Sequence, residues 1–278
     1  ANTAAVARKK GIETVTEFFG TDFAEKNLPG SADLILGNNV LAHVPDINDF
    51  VKGVKHSLKP DGVNTFEFPH LMKLVEKRQF DTIYHEHFSY LSLTSVKSIF
   101  ERQGLTLFDV EELPTHGGSL RIYAQHSECE RPVQASVLEL LEREALAGMK
   151  GLEYYSAFQD EVESIKNEFL SFLLEAKASG KKVIGYGAAA KGNTLLNYAG
   201  VKGSDLIEFV VDASPHKQNK YLPGSRILVV PPSKIEDFKP DLIIIFPWNL
   251  TNEIKAQLAF AEEWGAKFVT FIPNFRFV

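Results

Sequence analysis

The densest group of chemically reactive side chains lies in the segment 83–90, which reads Ile-Tyr-His-Glu-His-Phe-Ser-Tyr and falls between a predicted strand and a predicted helix. If Tyr84 and His87 share one turn, their three-residue spacing places them on the same side, and Glu86 can orient the imidazole. A histidine titrates near neutral pH and suits proton abstraction, while a tyrosine hydroxyl can donate a hydrogen bond to a developing enolate. The set therefore predicts deprotonation of a carbon beside a carbonyl.

Two other interpretations of this segment remain open. His85 and His87 can be surface histidines, with Tyr84 packed in a core, as most isolated histidines and tyrosines are. A metal site at His85, Glu86 and His87 is the other alternative. Histidines two residues apart on a loop need a third ligand, which the sequence does not identify, so we expect no metal in this chain.

The composition predicts a folded protein that does not bind nucleic acid. The chain has 278 residues and a formal net charge of -6, so it offers no basic field for a polyanion. Cys129 is the only cysteine, which excludes a disulfide framework and a cysteine-based zinc site and favours a cytoplasmic location. The longest apolar run lies in DLIIIFPW, far short of the roughly 20 residues of a membrane span, so no membrane partner is expected.

Hydrophobic patterning predicts two α/β regions joined by helices. We place an α/β domain at 1–127, with a parallel sheet finished by an antiparallel pair, a helical linker at 128–180, and a second Rossmann-like domain at 181–278. Within the first domain, β-branched and aromatic residues predict a strand over 14–19. Thr94 is the predicted N-cap of a helix that Gly104 closes.

Polar residues at predicted strand ends mark possible ligand edges. Asn38 and Asn39 follow the run ADLIL, and Trp248 and Asn249 follow the run DLIIIF. Open α/β sheets bind ligands at the carboxyl ends of their strands, so these four residues are candidates for binding.

Two glycine-containing turns are further candidates. The turn 116–118, His-Gly-Gly, is either hairpin punctuation or a close backbone approach to a ligand. The turn 185–190, Gly-Tyr-Gly-Ala-Ala-Ala, follows a strand and opens a helix, and Asp212 ends the next strand as a ribose-binding acid would. That pattern fits a dinucleotide site or a tight turn without a ligand. A third interpretation uses the helix N-terminus and Lys191 to bind a diphosphate.

Four blocks of the sequence resemble the sugar-nucleotide C-methyltransferases of branched deoxysugar biosynthesis. They read NNVLAHVPDINDFV, FDTIYHEHFSYLSL, ELPTHGGSLRIYA and VIGYGAAAKGNTLLNY, in the order and spacing of that family. The resemblance covers essentially the whole chain. It implies an incomplete class I (Rossmann-like) S-adenosylmethionine-dependent methyltransferase domain, a helical linker and a second Rossmann-like domain. The implied reaction is methyl transfer to a carbon adjacent to the ketone of an NDP-4-keto-deoxysugar.

The resemblance also implies roles for individual residues. His87 is the general base that removes the proton beside the ketone, Tyr84 and Glu86 hold or polarise the sugar, and the enolate carbon attacks the sulfonium methyl. The residues expected to remain of the S-adenosylmethionine site are Phe19, Asn38, Asn39 and His43. The residues expected to bind substrate are His116, Gly117, Gly118, Tyr186, Lys191, Lys217, Asn219, Trp248 and Asn249.

The family resemblance further implies features that precede this sequence. A cysteine-rich zinc module, a glycine-rich first turn and a ribose-binding acid are expected before Ala1, so zinc is expected only in that module of the intact protein. The expected substrate is a thymidine diphosphate-linked sugar, and the expected assembly is a monomer. Two alternatives stay open: an NAD-dependent oxidoreductase that uses the GYGAAA turn, and a noncatalytic sugar-nucleotide binding module.

Overall fold

A computed structural model describes residues 2–278 of the chain. The α-helices are α1 (Asn2–Lys9), α2 (Thr21–Asn27), α3 (Ile47–Ser57), α4 (Leu71–Glu76), α5 (Leu93–Arg102), α6 (Ala135–Leu146), α7 (Glu153–Ser156), α8 (Phe158–Ala178), α9 (Ala190–Tyr198), α10 (Lys234–Phe238) and α11 (Thr251–Gln257). The strands are β1 (Ala32–Asn38), β2 (Leu58–Pro69), β3 (Leu105–Leu113), β4 (Ser119–His126), β5 (Val183–Tyr186), β6 (Val210–Val211), β7 (Val229–Val230), β8 (Leu242–Ile245), β9 (Lys267–Thr270) and β10 (Arg276–Phe277). Short 3₁₀ turns lie at Leu41–His43, Phe80–Thr82, Thr115–Gly117, Trp248–Leu250 and Ala259–Trp264.

The chain packs as two compact units. Unit 1 comprises 2–70, His87–Pro114 and Gly118–Ala147, and unit 2 comprises Leu71–Glu86, Thr115–Gly117 and Gly148–Val278. The helix α6, which the sequence pattern places in a linker, belongs to unit 1. The domain limits at residues 127 and 180 stay predictions. The two compact units have other bounds, because each groups segments that pack together without being contiguous in the sequence.

Unit 1 is built on a sheet with the strand order β1-β2-β4-β3. β1 and β2 are parallel, whereas β4 is antiparallel to both β2 and β3. The predicted parallel sheet with an antiparallel pair is therefore confirmed. Its core contains Phe66 and Phe68 of β2 and Ile122 of β4, packed with Val96 and Phe100 of α5. Such burial of one sheet face against amphipathic helices is the main source of the unit's stability.

Two local predictions in unit 1 are wrong. Residues 14–19 form no strand, and Val15 and Phe18 are exposed, because β-branched and aromatic residues need a neighbouring strand to pair with. The N-cap of α5 is Ser92 rather than Thr94. The Ser92 hydroxyl accepts from Ser95 N at 3.1 Å, and Ser92 N donates back to Ser95 Oγ at 3.0 Å. Gly104 does follow α5 in the left-handed conformation, with φ of 74°, as expected.

Unit 2 is built on a sheet with the order β10-β9-β8-β5-β6-β7, parallel apart from β10. Alternate residues of β8 face opposite sides: Ile244 packs with Phe169 of α8, and Ile243 packs with Ile254 of α11. Helices thus cover both faces of the sheet, and the predicted α/β class is confirmed. Tyr186 and Ile245 pair at the carboxyl ends of β5 and β8. The turns that follow these two strands therefore leave the same edge of the sheet.

Candidate active site

His87 lies in unit 1 against a second histidine. The His43 and His87 rings meet edge to face, with centroids 4.7 Å apart and an interplanar angle of 68°. The backbone holds this arrangement, because Phe88 N and Ser89 N donate to Ala42 O at 2.8 and 3.3 Å. The structure therefore brings together the predicted general base and a residue predicted for the cofactor site.

Tyr84 and Glu86 belong to unit 2, where the Phe80–Thr82 turn anchors the segment that carries them. Phe80 is buried and packs on the Tyr198 ring, with centroids 5.4 Å apart. The turn continues into the segment through a hydrogen bond from Ile83 N to Phe80 O at 2.9 Å. Tyr84 is half-buried and Glu86 is exposed, so the segment emerges from the core at the two predicted catalytic residues.

Three predicted substrate-binding residues meet at the carboxyl edge of the second sheet. The Lys191 ammonium group lies 4.1 Å from the centroid of the Trp248 ring and donates to Asn249 Oδ1 at 3.0 Å. A lysine over an indole face is attracted by the ring quadrupole, so this geometry fixes the cation.

Asp81 belongs to the same cluster, although sequence reasoning missed it. Its side chain is buried, and Oδ2 accepts a hydrogen bond from Trp248 Nε1 at 2.7 Å. The only signal in the sequence was an acid three residues before Tyr84. Burial raises the pKa of Asp81 to about 6, against the opposing charge of Lys191 and the Trp248 hydrogen bond. Burial likewise lowers the pKa of Lys191, and the Asp81 charge opposes that effect.

Asn38 and Asn39 lie at the carboxyl end of β1, as the sequence predicts. Asn39 has a φ of 52°, a left-handed conformation that asparagine tolerates better than most residues. Its backbone N–H donates to Glu67 O at 2.8 Å, which holds the turn against β2. Both side chains are exposed, so their carboxamides can reach a ligand at this edge.

Comparison with known proteins places the chain in a family. Residues 114–273, more than half of the chain, match the family described as C-methyltransferase C-terminal domain. The chain belongs to this C-methyltransferase family. Residues 5–110 match a methyltransferase domain. The C-methyltransferase NovU of Streptomyces niveus is 37% identical over 279 residues, which is 100% of this chain and 66% of NovU. The chain thus spans about two thirds of that relative's length.

Solved structures overlap with this C-methyltransferase family member only in part. A protein of Pyrococcus horikoshii OT3 has 15% identity and a TM-score of 0.36, with 45% of this chain and 64% of that chain covered. A SAM-dependent methyltransferase of Thermotoga maritima has 18% identity and a TM-score of 0.37, with 45% and 69% covered. Both scores are below 0.5, so neither overlap supports an assignment.

Phe19 does not occupy the position expected of it in this C-methyltransferase family member. It follows no strand, and its half-buried ring packs edge to face on Phe50 with centroids 5.3 Å apart. Phe23 lies on another side at 6.1 Å. These contacts give Phe19 a packing role in unit 1, and its proposed contact with a cofactor stays a prediction.

The glycine turn at 116–118 packs against the protein's own tryptophan. Gly117 has a φ of 95°, and a Cβ added there would lie 2.3 Å from Cη2 of Trp248. Its carbonyl oxygen accepts from Lys77 Nζ at 2.8 Å and from Gln79 Nε2 at 3.0 Å. His116 is exposed with a φ of 55°, and Gly118 O accepts from His70 N in unit 1. The close approach that glycine permits here is to Trp248.

The turn that opens α9 is filled by protein atoms. A Cβ added at Gly187 would lie 2.5 Å from Cδ of Pro247. Asp212 uses both carboxylate oxygens within the turn: Oδ1 accepts from Ser214 N at 2.8 Å, and Oδ2 accepts from Ala188 N at 2.8 Å and Lys217 Nζ at 3.2 Å. The geometry therefore gives no support to a ribose contact at Asp212. It does bring Lys217 to the turn before α9.

Two further predicted substrate residues are not brought to Lys191 by any described contact. Tyr186 is 7% exposed, and its hydroxyl donates to Gln257 Oε1 at 3.3 Å. Asn219 is exposed with a φ of 59°, and its backbone N–H donates to Val229 O.

Within residues 2–278, no group of three or more histidine, cysteine, aspartate and glutamate side chains is placed to hold a metal ion. Over the same residues, no helix combines the length and apolarity of a membrane span.

Proposed function

We propose that the intact protein is an S-adenosylmethionine-dependent C-methyltransferase that acts on a carbon adjacent to the ketone of an NDP-4-keto-deoxysugar. Family membership supports the reaction type. The observation that carries the mechanism is the position of His87, whose ring contacts the His43 ring while the backbone of the adjacent Phe88 and Ser89 is bonded to Ala42.

His87 is the general base of this proposal. The imidazole takes the proton from the carbon beside the ketone, and the electron pair of that C–H bond delocalises into an enolate. Tyr84 donates a hydrogen bond to the enolate oxygen, where negative charge develops, and Glu86 orients the sugar or the imidazole. When bound, S-adenosylmethionine would supply the electrophilic methyl group, and its sulfur would keep the electron pair of the broken sulfur–methyl bond, leaving S-adenosylhomocysteine. The sugar gains a carbon–carbon bond, and the proton remains on His87.

The residues at the end of β1 fit part of that cofactor. The exposed carboxamides of Asn38 and Asn39 can form hydrogen bonds with hydroxyl and amino groups of a ligand. His43 ends the short 3₁₀ turn that follows them in the sequence. Because His43 contacts His87, a cofactor bound at this turn would lie near the base. Phe19 fits less well, because Phe50 and Phe23 already occupy faces of its ring.

The diphosphate of the substrate is assigned to the start of α9. The N-cap residue is Ala189, which has no side-chain acceptor for the first-turn N–H groups. Lys191 adds positive charge at this helix end, which already favours anions, and Lys217 lies at the same turn in an ion pair with Asp212. The nucleoside that fits the resemblance is thymidine.

Solvent deuterium exchange tests the role of His87. The intact protein is incubated in D₂O with a thymidine diphosphate-linked 4-keto-deoxysugar, and exchange beside the ketone is followed by mass spectrometry. His87→Ala should slow exchange by roughly 10²–10⁴-fold, the usual loss for a general base. The matched control is His85→Ala, an exposed histidine two residues away, which should exchange like the wild type. Equal exchange by both variants would remove His87 from the role.

Two further measurements separate the alternatives. Methyl transfer from S-adenosylmethionine to the sugar nucleotide supports the proposal, whereas binding of the sugar nucleotide without transfer supports a noncatalytic module. Tight binding of NADH, with no response to the sugar nucleotide, supports an oxidoreductase. The packed Gly187 turn and the occupied Asp212 carboxylate make that last result the least expected.

A further inference from the structure

We propose that Asp81 is a positioning residue for anion binding: its buried carboxylate fixes the Trp248 ring and holds the Lys191 ammonium group at the edge of the sheet for a phosphate oxygen. The inference rests on the assignment of Lys191 to the substrate diphosphate. Asp81 is the group that prepares Lys191 for that role.

Trp248 is held at two places. Asp81, with 1% of its surface exposed, accepts the indole N–H over 2.7 Å. A hydrogen bond to an ionised carboxylate is stronger than one between neutral groups. At the six-membered end of the indole, Gly117 packs so closely that no Cβ would fit. The ring therefore presents a fixed face.

This face and Asn249 define where Lys191 lies. The ammonium group is 4.1 Å from the ring centroid and donates one hydrogen bond, to Asn249 Oδ1. A lysine ammonium has three N–H donors. Donors beyond the one given to Asn249 can bind oxygens of a phosphate group.

Asp81 also acts on Lys191 electrostatically. An ionised carboxylate is costly to bury unless a cation lies nearby, and Asp81 Oδ1 is buried without a hydrogen-bond partner among residues 2–278. Asp81 of the Phe80–Thr82 turn and Lys191 line one small cavity with Trp248, and Asn249 of the Trp248–Leu250 turn accepts a hydrogen bond from Lys191. Lys77 lies near Trp248 through its bond to Gly117 O, and the Lys217–Asp212 ion pair lies at the turn before α9. The Asp81 charge thus opposes the loss of the Lys191 proton that burial promotes.

The position of Asp81 in the chain gives this contact a second consequence. Asp81 lies three residues before Tyr84, in the turn from which the 83–90 segment emerges. The hydrogen bond to Trp248 therefore anchors the segment that carries Tyr84 and Glu86 to the residues proposed to bind the diphosphate.

The test measures binding of inorganic pyrophosphate by calorimetry from pH 7 to pH 10. Asp81→Asn keeps an acceptor for the Trp248 N–H and removes the charge. Removing the Asp81 charge should lower the pKa of Lys191 further, so the affinity of this variant should begin to fall at a lower pH than that of the wild type and should be weaker at the alkaline end of the range. Lys191→Met should lose binding at every pH. Pyrophosphate also changes its ionisation over this pH range. That effect cancels from the ratio of the two affinities, because each variant is compared with the wild type at the same pH.

The matched control is Asp160→Asn, which removes an exposed carboxylate of α8 in the same unit and should bind like the wild type. A spectroscopic signal adds a second measurement. The chain has two tryptophans, so Trp264→Phe leaves emission from Trp248 alone, and Asp81→Asn should change that emission. Far-UV circular dichroism establishes that each variant is folded.

The proposal is overturned if Asp81→Asn binds pyrophosphate like the wild type at every pH, or if Asp160→Asn shows the same loss. If Asp81→Asn does not fold, Trp248→Phe keeps a ring and removes the N–H donor. It should weaken binding, and unchanged affinity overturns the proposal. Pyrophosphate binding needs no methyl transfer, so a wild type without transferase activity would refute the proposed function and leave this test interpretable.

Discussion

The Nε2 atom of His70 lies 2.8 Å from Oε1 of Glu144 in a pair that is almost wholly buried. The same carboxylate accepts hydrogen bonds from Leu93 N at 2.7 Å, from Thr94 N at 2.8 Å and from Thr94 Oγ1 at 2.6 Å. His70 follows β2, and Leu93 begins α5. Glu144 of α6 therefore joins the end of a strand to the start of the helix that follows the 83–90 segment.

Replacing Glu144 with alanine should destabilise unit 1 strongly. The change leaves His70 and two N–H groups of the first turn of α5 without their buried acceptor, and breaking such a pair costs about 3–5 kcal/mol. Urea unfolding followed by circular dichroism measures the free energy of unfolding. Glu142→Ala removes an exposed carboxylate of the same helix and should change it by less than about 0.5 kcal/mol. Equal losses in the two variants would contradict the assignment.

The Glu144 contribution should also depend on pH. Burial alone raises the pKa of Glu144, but the hydrogen bonds from His70, Thr94 and Leu93 outweigh it, and the pKa lies below its ordinary value of 4.5. The unfolded chain then binds the proton more tightly than the native state. The stabilisation is complete above pH 4.5 and declines as the pH falls through the native value. The stability gap between wild type and Glu144→Gln should therefore narrow below pH 4.5, and a constant gap would contradict this.

Elements that depend on local pattern could be predicted from the sequence. The apolar runs of β1 and β8 each identify an element, and Asn38 follows β1 as predicted. The strand over 14–19 failed because strand formation depends on a partner strand. Thr94 failed as an N-cap because its hydroxyl donates to Glu144, which is 50 residues away.

The site was less predictable, because its contacts join distant parts of the chain. Asp81 meets Trp248 across 167 residues, and no local pattern marks that pairing. Glu144 resembles the neighbouring surface acids of α6, and only tertiary packing reveals that it is buried. Lys191 and Asn249 were predictable individually, since each follows a strand end. Their hydrogen bond required the parallel pairing of β5 with β8.

Asp81 should destabilise unit 2 at neutral pH. Its pKa rises from 3.8 in the unfolded chain to about 6 in the native state, so the native state binds the proton more tightly. Its contribution is complete below pH 3.8 and is lost as the pH rises through 6. Two pKa units correspond to about 3 kcal/mol. Relative to wild type, Asp81→Asn should therefore gain about that amount of stability between pH 4 and pH 7. The same comparison for Asp160→Asn should be flat, and a flat result for Asp81→Asn would refute the prediction.

Gly117→Ala should destabilise unit 2 through a clash as well as through its backbone conformation. The added methyl group would lie 2.3 Å from Trp248 and 2.6 Å from Gln79 Nε2. Gly180 is the matched control, since it has a φ of 65° and no heavy atom within 4 Å of an added Cβ. Gly180→Ala should cost about 1 kcal/mol from left-handed strain, and Gly117→Ala about 2–4 kcal/mol because overpacking is added. Thermal unfolding compares the two, and equal losses would show that Trp248 moves aside.

Tyr84→Phe should slow deuterium exchange and methyl transfer by the same factor. In the proposed mechanism both processes pass through the enolate, and the Tyr84 hydroxyl stabilises the negative oxygen of that species. Removing such a donor lowers kcat by about 10²–10³-fold, with little change in KM if the hydroxyl acts mainly in the transition state. Tyr221→Phe removes a hydroxyl from a ring that is 66% exposed and should leave both rates unchanged. A Tyr84→Phe enzyme that exchanges at the wild-type rate but methylates slowly would contradict the assignment, because the proton transfer would then not depend on the phenol.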